Sequence, residues 1–340
     1  MIRGIRVIPL SIALAIFLLP FAVPSPYMIA VLCFIAIYGA LALGKAFLLE
    51  QAGVFSLGHP VWFVVGAYMT GIAAVWGAPP LLAVLIAAAV VGILAYLIGA
   101  PLLRLKGIYL ICATFCLIII LEITIVNMGS ITGGYNGLMN VPPLTIGGFI
   151  IKGDVSFYLI SWALCLGMLW FFNNLLDSRE GRALRASRDS EVAAMSMGVN
   201  IPQYKLKIFV ITAVMASLTG SVFCFWVRYM TVEFGGFPLL VELITMIVIG
   251  GGRTLYGPLL GAFVVIWLRE FIHTYIAKLL PQMTAEVDAL FFGVIIVLIL
   301  VFMPGGLTGW VEQCRDWVEQ CRDKVKRAYS GRRVHERLPR

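Results

Sequence analysis

Charge is the scarcest property of this chain: Asp, Glu, Lys and Arg make up 12% of its 340 residues, while 61% are hydrophobic. An ordinary soluble domain carries charge on about a quarter of its residues, so this composition excludes one. Histidine is nearly absent, and His59, His273 and His335 lie far apart in sequence, which leaves no metal-ligand spacing. The cysteines add nothing to that. Cys33, Cys112, Cys116, Cys165 and Cys224 fall in apolar runs, where they behave as small hydrophobes, and Cys314 and Cys321 fall in a basic tail. There is no G-x-x-x-x-G-K-S/T phosphate loop, no H-E-x-x-H and no G-x-S-x-G. The chain therefore reads as a non-enzyme with no metal or cofactor of its own, whose energy source lies in a partner or an ion gradient.

What the chain has in abundance is apolar length. Runs near or beyond the roughly 20 residues that cross a bilayer recur along it. Set against Gly, Pro and charge, they predict about ten spans, near residues 7–23, 27–49, 60–76, 81–103, 108–126, 156–176, 205–227, 239–252, 255–273 and 289–303. The eighth is too short to cross alone unless it is tilted, broken or begins near Phe234. The first places basic residues before an apolar core of about 17 residues with no small-x-small cleavage site, and reads as a retained span, not a signal peptide. The expected fold class is all-α: a polytopic transmembrane helical bundle with interrupted helices, occupying residues 1–309, followed by a basic tail, 310–340.

Placing the N-terminus in the cytoplasm leaves only Lys152, Arg228, Arg269 and Lys278 at outer ends and puts the other 21 of the 25 Lys and Arg residues inside. That asymmetry requires an even number of spans and puts both termini in the cytoplasm. The net charge of +8 then reflects orientation and attraction to anionic membrane lipid, with no nucleic-acid partner.

Charge gathers in one place, the loop 177–204. Eight charged side chains lie between Asp177 and Glu191, with Arg179, Arg182, Arg185 and Arg188 every third residue, a spacing that spreads them around a helix. From Glu191 the text turns small and apolar, "EVAAMSMGV", with Asp189 and Ser190 as capping residues, Gly198 as a helix stop and Pro202 just beyond. A short helix bearing Val192, Met195 and Met197 suits insertion into a groove on another protein. A solvated loop whose arginines only enforce topology is the competing reading.

Two Gly and Pro clusters interrupt apolar runs at membrane depth: Gly53, Ser56, Gly58 and His59 in the first, and Gly250, Gly251, Gly252 and Gly257 in the second. They share Ser56-Leu57-x-x-Pro60 and Thr254-Leu255-x-x-Pro258, each followed by Gly-Ala at 66–67 and 261–262. Interrupted segments at corresponding places in two halves mark an internal two-fold repeat around a transport path, and small residues also serve close helix packing. Glu122 and Glu242 are intramembrane carboxylates that each need a partner or water. The longest outer loop, Asn127 to Asp154, holds "TGGYNGL", with Thr132, Gly133, Gly134, Asn136 and Gly137 as turn formers that present a partner surface or close a structural hairpin. In the tail "WVEQCRD" occurs twice in tandem from Trp310, a heptad period that suits an amphipathic helix along the cytoplasmic membrane face, with a duplication of two turns without function as the competing reading.

"GRALRASRDSEVAAMSMGVNIPQYKL" resembles the cytoplasmic loop of the permease subunits of branched-chain amino acid ABC importers. "QAGVFSLGHPVWFVVGAYMT", "LRLKGIYL", "TGGYNGL", "IVIGGGRTLYGPLLGA" and "PGGLTG" follow in the order those permeases show them. The resemblance implies a coupling helix, carried here by Arg182, Arg185, Glu191, Ala193, Ala194 and Gly198, that seats on an ATPase subunit. In the general motif an acidic residue directly precedes Ala-Ala, whereas here Val192 does and Glu191 stands one place back. Implied partners are a second homologous permease, two ATPase subunits that hold ATP and Mg, and a periplasmic solute-binding protein, at a bacterial inner membrane. The implied substrate is a branched-chain amino acid. Urea, short amides or other small amino acids are the alternatives within that family, and an ion-coupled secondary transporter is the alternative outside it.

Overall fold

The computed structural model describes residues 16–20, 25–146, 149–151, 153–252, 254–271, 274, 293–294, 297 and 306–309. The first expected span is met only in its helical piece at 16–20. Most of the tenth span and the whole tail, with its tandem heptad, lie outside the described residues.

The helices are α1 (Pro26–Glu50), α2 (His59–Val75), α3 (Pro80–Leu102), α4 (Ile108–Asn127), α5 (Asp154–Asp177), α6 (Arg179–Asp189), α7 (Glu191–Ser196), α8 (Ile201–Val227), α9 (Phe237–Gly250) and α10 (Gly257–Phe271). The strands among the described residues are a two-residue antiparallel ribbon, Thr145–Ile146 against Phe149–Ile150, so the chain is all-α as expected. Among these residues 6 helical stretches are long and apolar enough to cross a bilayer. The short eighth run gains its length by starting early: a helical turn at Val232–Phe234 precedes α9, and the stretch Val232–Gly250 runs 19 residues. Pro lies in the first turn of α1, α2, α3, α8 and α9, where its missing N–H has no helical partner to lose.

Helix α1 is apolar on every face, and a helix of that kind must be surrounded. It is the central rod, buried from Ile29 to Leu48 apart from Ala30 and Phe34, and packed by α5, α8, α9 and α10. Helix α8 is the second core element and carries α2 and α3 on its flank. Helices α3 and α4 lie outermost. The buried positions of α3 are Ala83, Ala87, Val91, Ala95 and Gly99, a four-residue repeat of mostly small side chains. Its other faces expose Leu81, Leu85, Ile93 and Leu97, an apolar surface that belongs in lipid.

Without a hydrophobic drive between helices in lipid, association rests on close van der Waals packing and interhelical hydrogen bonds. The α2–α8 seam uses both. A Cβ at Gly66 would fall 2.5 Å from Ser217 Oγ, and one at Gly220 would run into the Phe63 carbonyl, so each helix presses a glycine into the other's backbone. One turn along, Thr70 Oγ1 and Ser221 Oγ share a hydrogen bond of 2.7 Å.

This seam gives a direct test. Gly66→Val and Gly220→Val should each lower the thermal midpoint of the detergent-purified protein, by an overpacking cost of about 1–3 kcal/mol. Gly167→Val, on α5 with nothing within 4 Å of its added Cβ, should leave the midpoint where it is. Equal midpoints for all three would show that the seam does not hold α2 on α8.

Candidate functional site

The charged loop is built by caps. Helix α5 ends at Asp177, and Ser178 turns the chain by accepting the Gly181 N–H at 3.2 Å while donating to the Leu175 carbonyl at 2.6 Å. A Cβ at Gly181 would lie 2.6 Å from Leu176 Cα, so glycine permits the reversal. From α6, Arg182 donates to the Asp177 carbonyl at 2.9 Å and Arg185 to the Leu176 carbonyl at 2.8 Å. Both guanidinium groups thus satisfy the open C-terminal carbonyls of α5 and oppose its dipole. Arg188 pairs with Glu50 at the end of α1 at 3.3 Å, and Lys207 of α8 approaches Glu180 to 3.9 Å. The charges therefore fasten α6 to the ends of α1, α5 and α8.

That leaves α7 to face outward. Ser190 caps it through the Ala193 N–H at 3.3 Å, as its position in the sequence suggested, and Glu191 is its first residue. Gly198 ends it at φ 80, with its N–H bonded to the Met195 carbonyl at 2.9 Å and the Val199 N–H to the Ala194 carbonyl at 3.1 Å. The left-handed geometry of such a stop favours glycine. Of the expected coupling residues, Ala194 is buried inside the loop, whereas Ala193 and Gly198 face out. The exposed apolar surface is Val192 at 73%, Met195 at 53% and Met197 at 84%.

Both interruptions exist as irregular backbone between helices. In the first, Gln51–Gly58, the Leu57 N–H donates to Thr114 Oγ1 of α4 at 3.0 Å, and a Cβ on Gly58 would meet the Thr114 carbonyl at 2.9 Å. Gly53 is exposed at φ 63. His59 is fully buried, with Nε2 against Gly44 of α1. In the second, Thr254 Oγ1 caps α10 by accepting the Gly257 N–H at 3.2 Å. Helices α2 and α10 both start three residues after the shared Ser or Thr, so the sequence likeness fixes the helix start. Packing then diverges: α2 leans on α8 and α3, whereas α10 folds back on α9 and α1. Gly250, Gly257 and Gly261 bring the α9 and α10 backbones together, Gly252 abuts Glu50, and Gly306 seats against Gly251, whose carbonyl accepts from Thr308 at 3.5 Å. The second cluster thus does packing work. Of the residues expected on a path, Ser56 lines a cavity of about 100 Å³ beside the first break, together with Lys45 and residues of α9.

The opposite end is knotted. Gly133, Gly134 and Gly137 all have positive φ, and Thr132 Oγ1 donates to the Ile125 carbonyl at 2.6 Å while accepting from the Gly134 N–H at 3.3 Å. Leu138 then bridges to Met230 through two backbone bonds of 2.8 and 3.0 Å, tying this loop to the end of α8. Asn136 ends the small helical turn, and Tyr135 projects at 86% exposure. Glu242 finds its partner in Arg269 of α10 at 3.1 Å, and Glu122 lies against Gly236 in the lead-in to α9. No group of three metal-binding side chains occurs among the described residues.

Sequence reasoning passed over Lys45, Thr114 and the Arg269–Glu242 pair. Lys45 had a usable signal, being the lone charge inside the α1 run before Glu50. Thr114, a hydroxyl amid apolar residues, gave a weaker one.

The family model for the permease component of branched-chain amino acid transport systems matches residues 27–300. The chain belongs to that family. It is 28% identical over 324 residues to the high-affinity branched-chain amino acid transport permease LivM of Salmonella typhimurium, covering 85% of this chain and 73% of the relative, and to the same degree to LivM of Escherichia coli. A probable LivH permease of Methanocaldococcus jannaschii is 21% identical over 79% of this chain and 87% of its own. No solved structure matches.

Tyr135 and Met197 lie at opposite ends of α8, which is about 40 Å long at 1.5 Å per residue. With the native cysteines replaced, single cysteines at these positions should each react with an impermeant maleimide from one side of the membrane only, and from opposite sides. Labelling of both from one side would contradict the crossing of α8.

Proposed function

We propose that this family member works as the permease subunit of an ATP-binding-cassette importer that moves branched-chain amino acids across the inner membrane. The coarse part rests on the family and on the multi-pass bundle. The observation that carries the finer part is the α7 surface: a short, capped helix with exposed valine and methionine side chains, held out by α6, which ion pairs and carbonyl bonds fasten to three helix ends. Exposed methionine is adaptable and apolar, which fits a groove on a partner.

In this reading the α6–α7 end is cytoplasmic, as 21 of 25 basic residues suggest, and both termini lie there. Two ATPase subunits with ATP and Mg dock on α7, and the nucleotide chemistry is theirs. Likeness to both LivM and LivH supports pairing with a second, homologous permease. A solute-binding protein docks outside, where Tyr135 and Met139 stand exposed on a loop tied down by the Thr132 hydrogen bonds and the Leu138–Met230 bridge. Docking at either end moves the bundle between outward- and inward-facing states only through contacts that differ between them. An ion-coupled carrier is disfavoured by Glu242, whose carboxylate is already held by Arg269.

Met195→Asp and Val192→Asp test the docking face. Both side chains are exposed, so the isolated permease should keep its thermal midpoint. Co-purification with the ATPase and substrate-stimulated hydrolysis should fall at least about tenfold, the scale of one interface anchor. Unchanged association and uptake in both variants would make α6–α7 a topological loop and nothing more.

A further inference from the structure

The cavity beside the first break holds a charge that the proposed docking and gating do not use. Lys45 sits on α1 about 7.5 Å short of its end at Glu50, by helix rise. Lysines placed so near a membrane face ordinarily extend their ammonium to the interface. Lys45 does not: only 4% of it is exposed, and Nζ has no hydrogen-bond partner among the described residues. Ser56, 6% exposed, lines the same cavity, and its Oγ is likewise without a partner. A buried ammonium and a buried hydroxyl left open carry a large desolvation cost unless something polar comes to them. The space of about 100 Å³ far exceeds the roughly 10–15 Å³ that one water needs. Its remaining walls are apolar: Leu49 and Leu57 beside the break, Ile244 and Ile247 from α9.

We propose that Lys45 and Ser56 form an intramembrane station that holds the carboxylate of the aliphatic amino acid in passage, with its side chain against Leu57, Ile244 and Ile247. The ammonium supplies the charge, the Ser56 hydroxyl a second donor, and the wall the apolar contact, so one cavity presents surfaces complementary to the carboxylate and to the aliphatic side chain. Because Ser56 belongs to an irregular segment and Ile244 to a different helix, relative motion of α1 and α9 opens or closes the station. The shared chemistry is an anion beside aliphatic groups, which a lipid phosphate or a free inorganic anion also offers in part. This inference rests on the import reading above.

The test uses the complete complex in vesicles of phosphatidylcholine, with binding protein and ATP. Lys45→Met should lose leucine uptake by roughly 10–100-fold, the range for a hydrogen bond to a charged group, while binding-protein-stimulated ATP hydrolysis persists. Lys45→Arg should retain a larger share of uptake, and Ser56→Ala should show a smaller loss of the same kind. Normal uptake by Lys45→Met overturns the proposal. So does equal loss of uptake and hydrolysis in Lys45→Met and Lys45→Arg, which would make Lys45 structural. If wild-type uptake depended on added phosphatidylglycerol, and Lys45→Met removed that dependence, the anion would be a lipid headgroup. If added inorganic phosphate inhibited the wild type and not Lys45→Met, it would be a free ion. Failure of the wild type to take up leucine would instead sink the import reading, whatever Lys45 does.

Discussion

Hydrocarbon offers no hydrogen bonds, and each interruption in this bundle depends on the protein supplying them. A helix that stops at membrane depth exposes N–H and C=O groups that water cannot reach. At the first break Thr114 reaches across from α4 to take the Leu57 N–H, and at the second Thr254 takes the Gly257 N–H within its own segment. The rest of the arrangement follows from where those partners are. A break satisfied by a neighbouring helix lets α2 leave α1 and settle on α8. A break satisfied locally folds α10 back along α9. Two stretches with the same Ser/Thr-Leu-x-x-Pro text therefore produce different packing, and the difference leaves a space beside one of them.

That also explains what could be read in advance. The apolar runs, the early start of the eighth span, the Ser190 cap and the Gly198 stop were legible because each is a local consequence of residue chemistry: hydrophobic length, a side-chain oxygen before an N-terminus, a left-handed residue after a C-terminus. The glycine clusters were legible as interruptions. Whether a given glycine lines space or touches backbone was not, because that depends on which helix lies opposite, and nothing within the segment names it. Gly58 meets Thr114 from more than fifty residues away, and Gly66 meets Ser217 from still further.

The charged loop shows the same limit from the other side. Arginines every third residue around a helix suggest a surface offered to a partner. In the fold, Arg182 and Arg185 bend back to carbonyls five and nine residues behind them, and Arg188 crosses to Glu50. Charge in a mostly apolar chain serves here as the fastening of a small exposed platform, and the surface it frames is apolar. Sequence spacing reported the helix; only the three-dimensional turn at Ser178 decided where its charges point.

Helix α1 carries polar contacts at both tips: Tyr27 donates to Glu270 near one, and Glu50 meets Arg188 at the other. A hydrogen-bonded helix of 25 residues, about 38 Å long, cannot shorten or bend cheaply along its axis. Held among four neighbours, it is a stiff strut. A displacement of the loop at Arg188 would reach the contact at Tyr27 through that single element, with no relay of side chains between them.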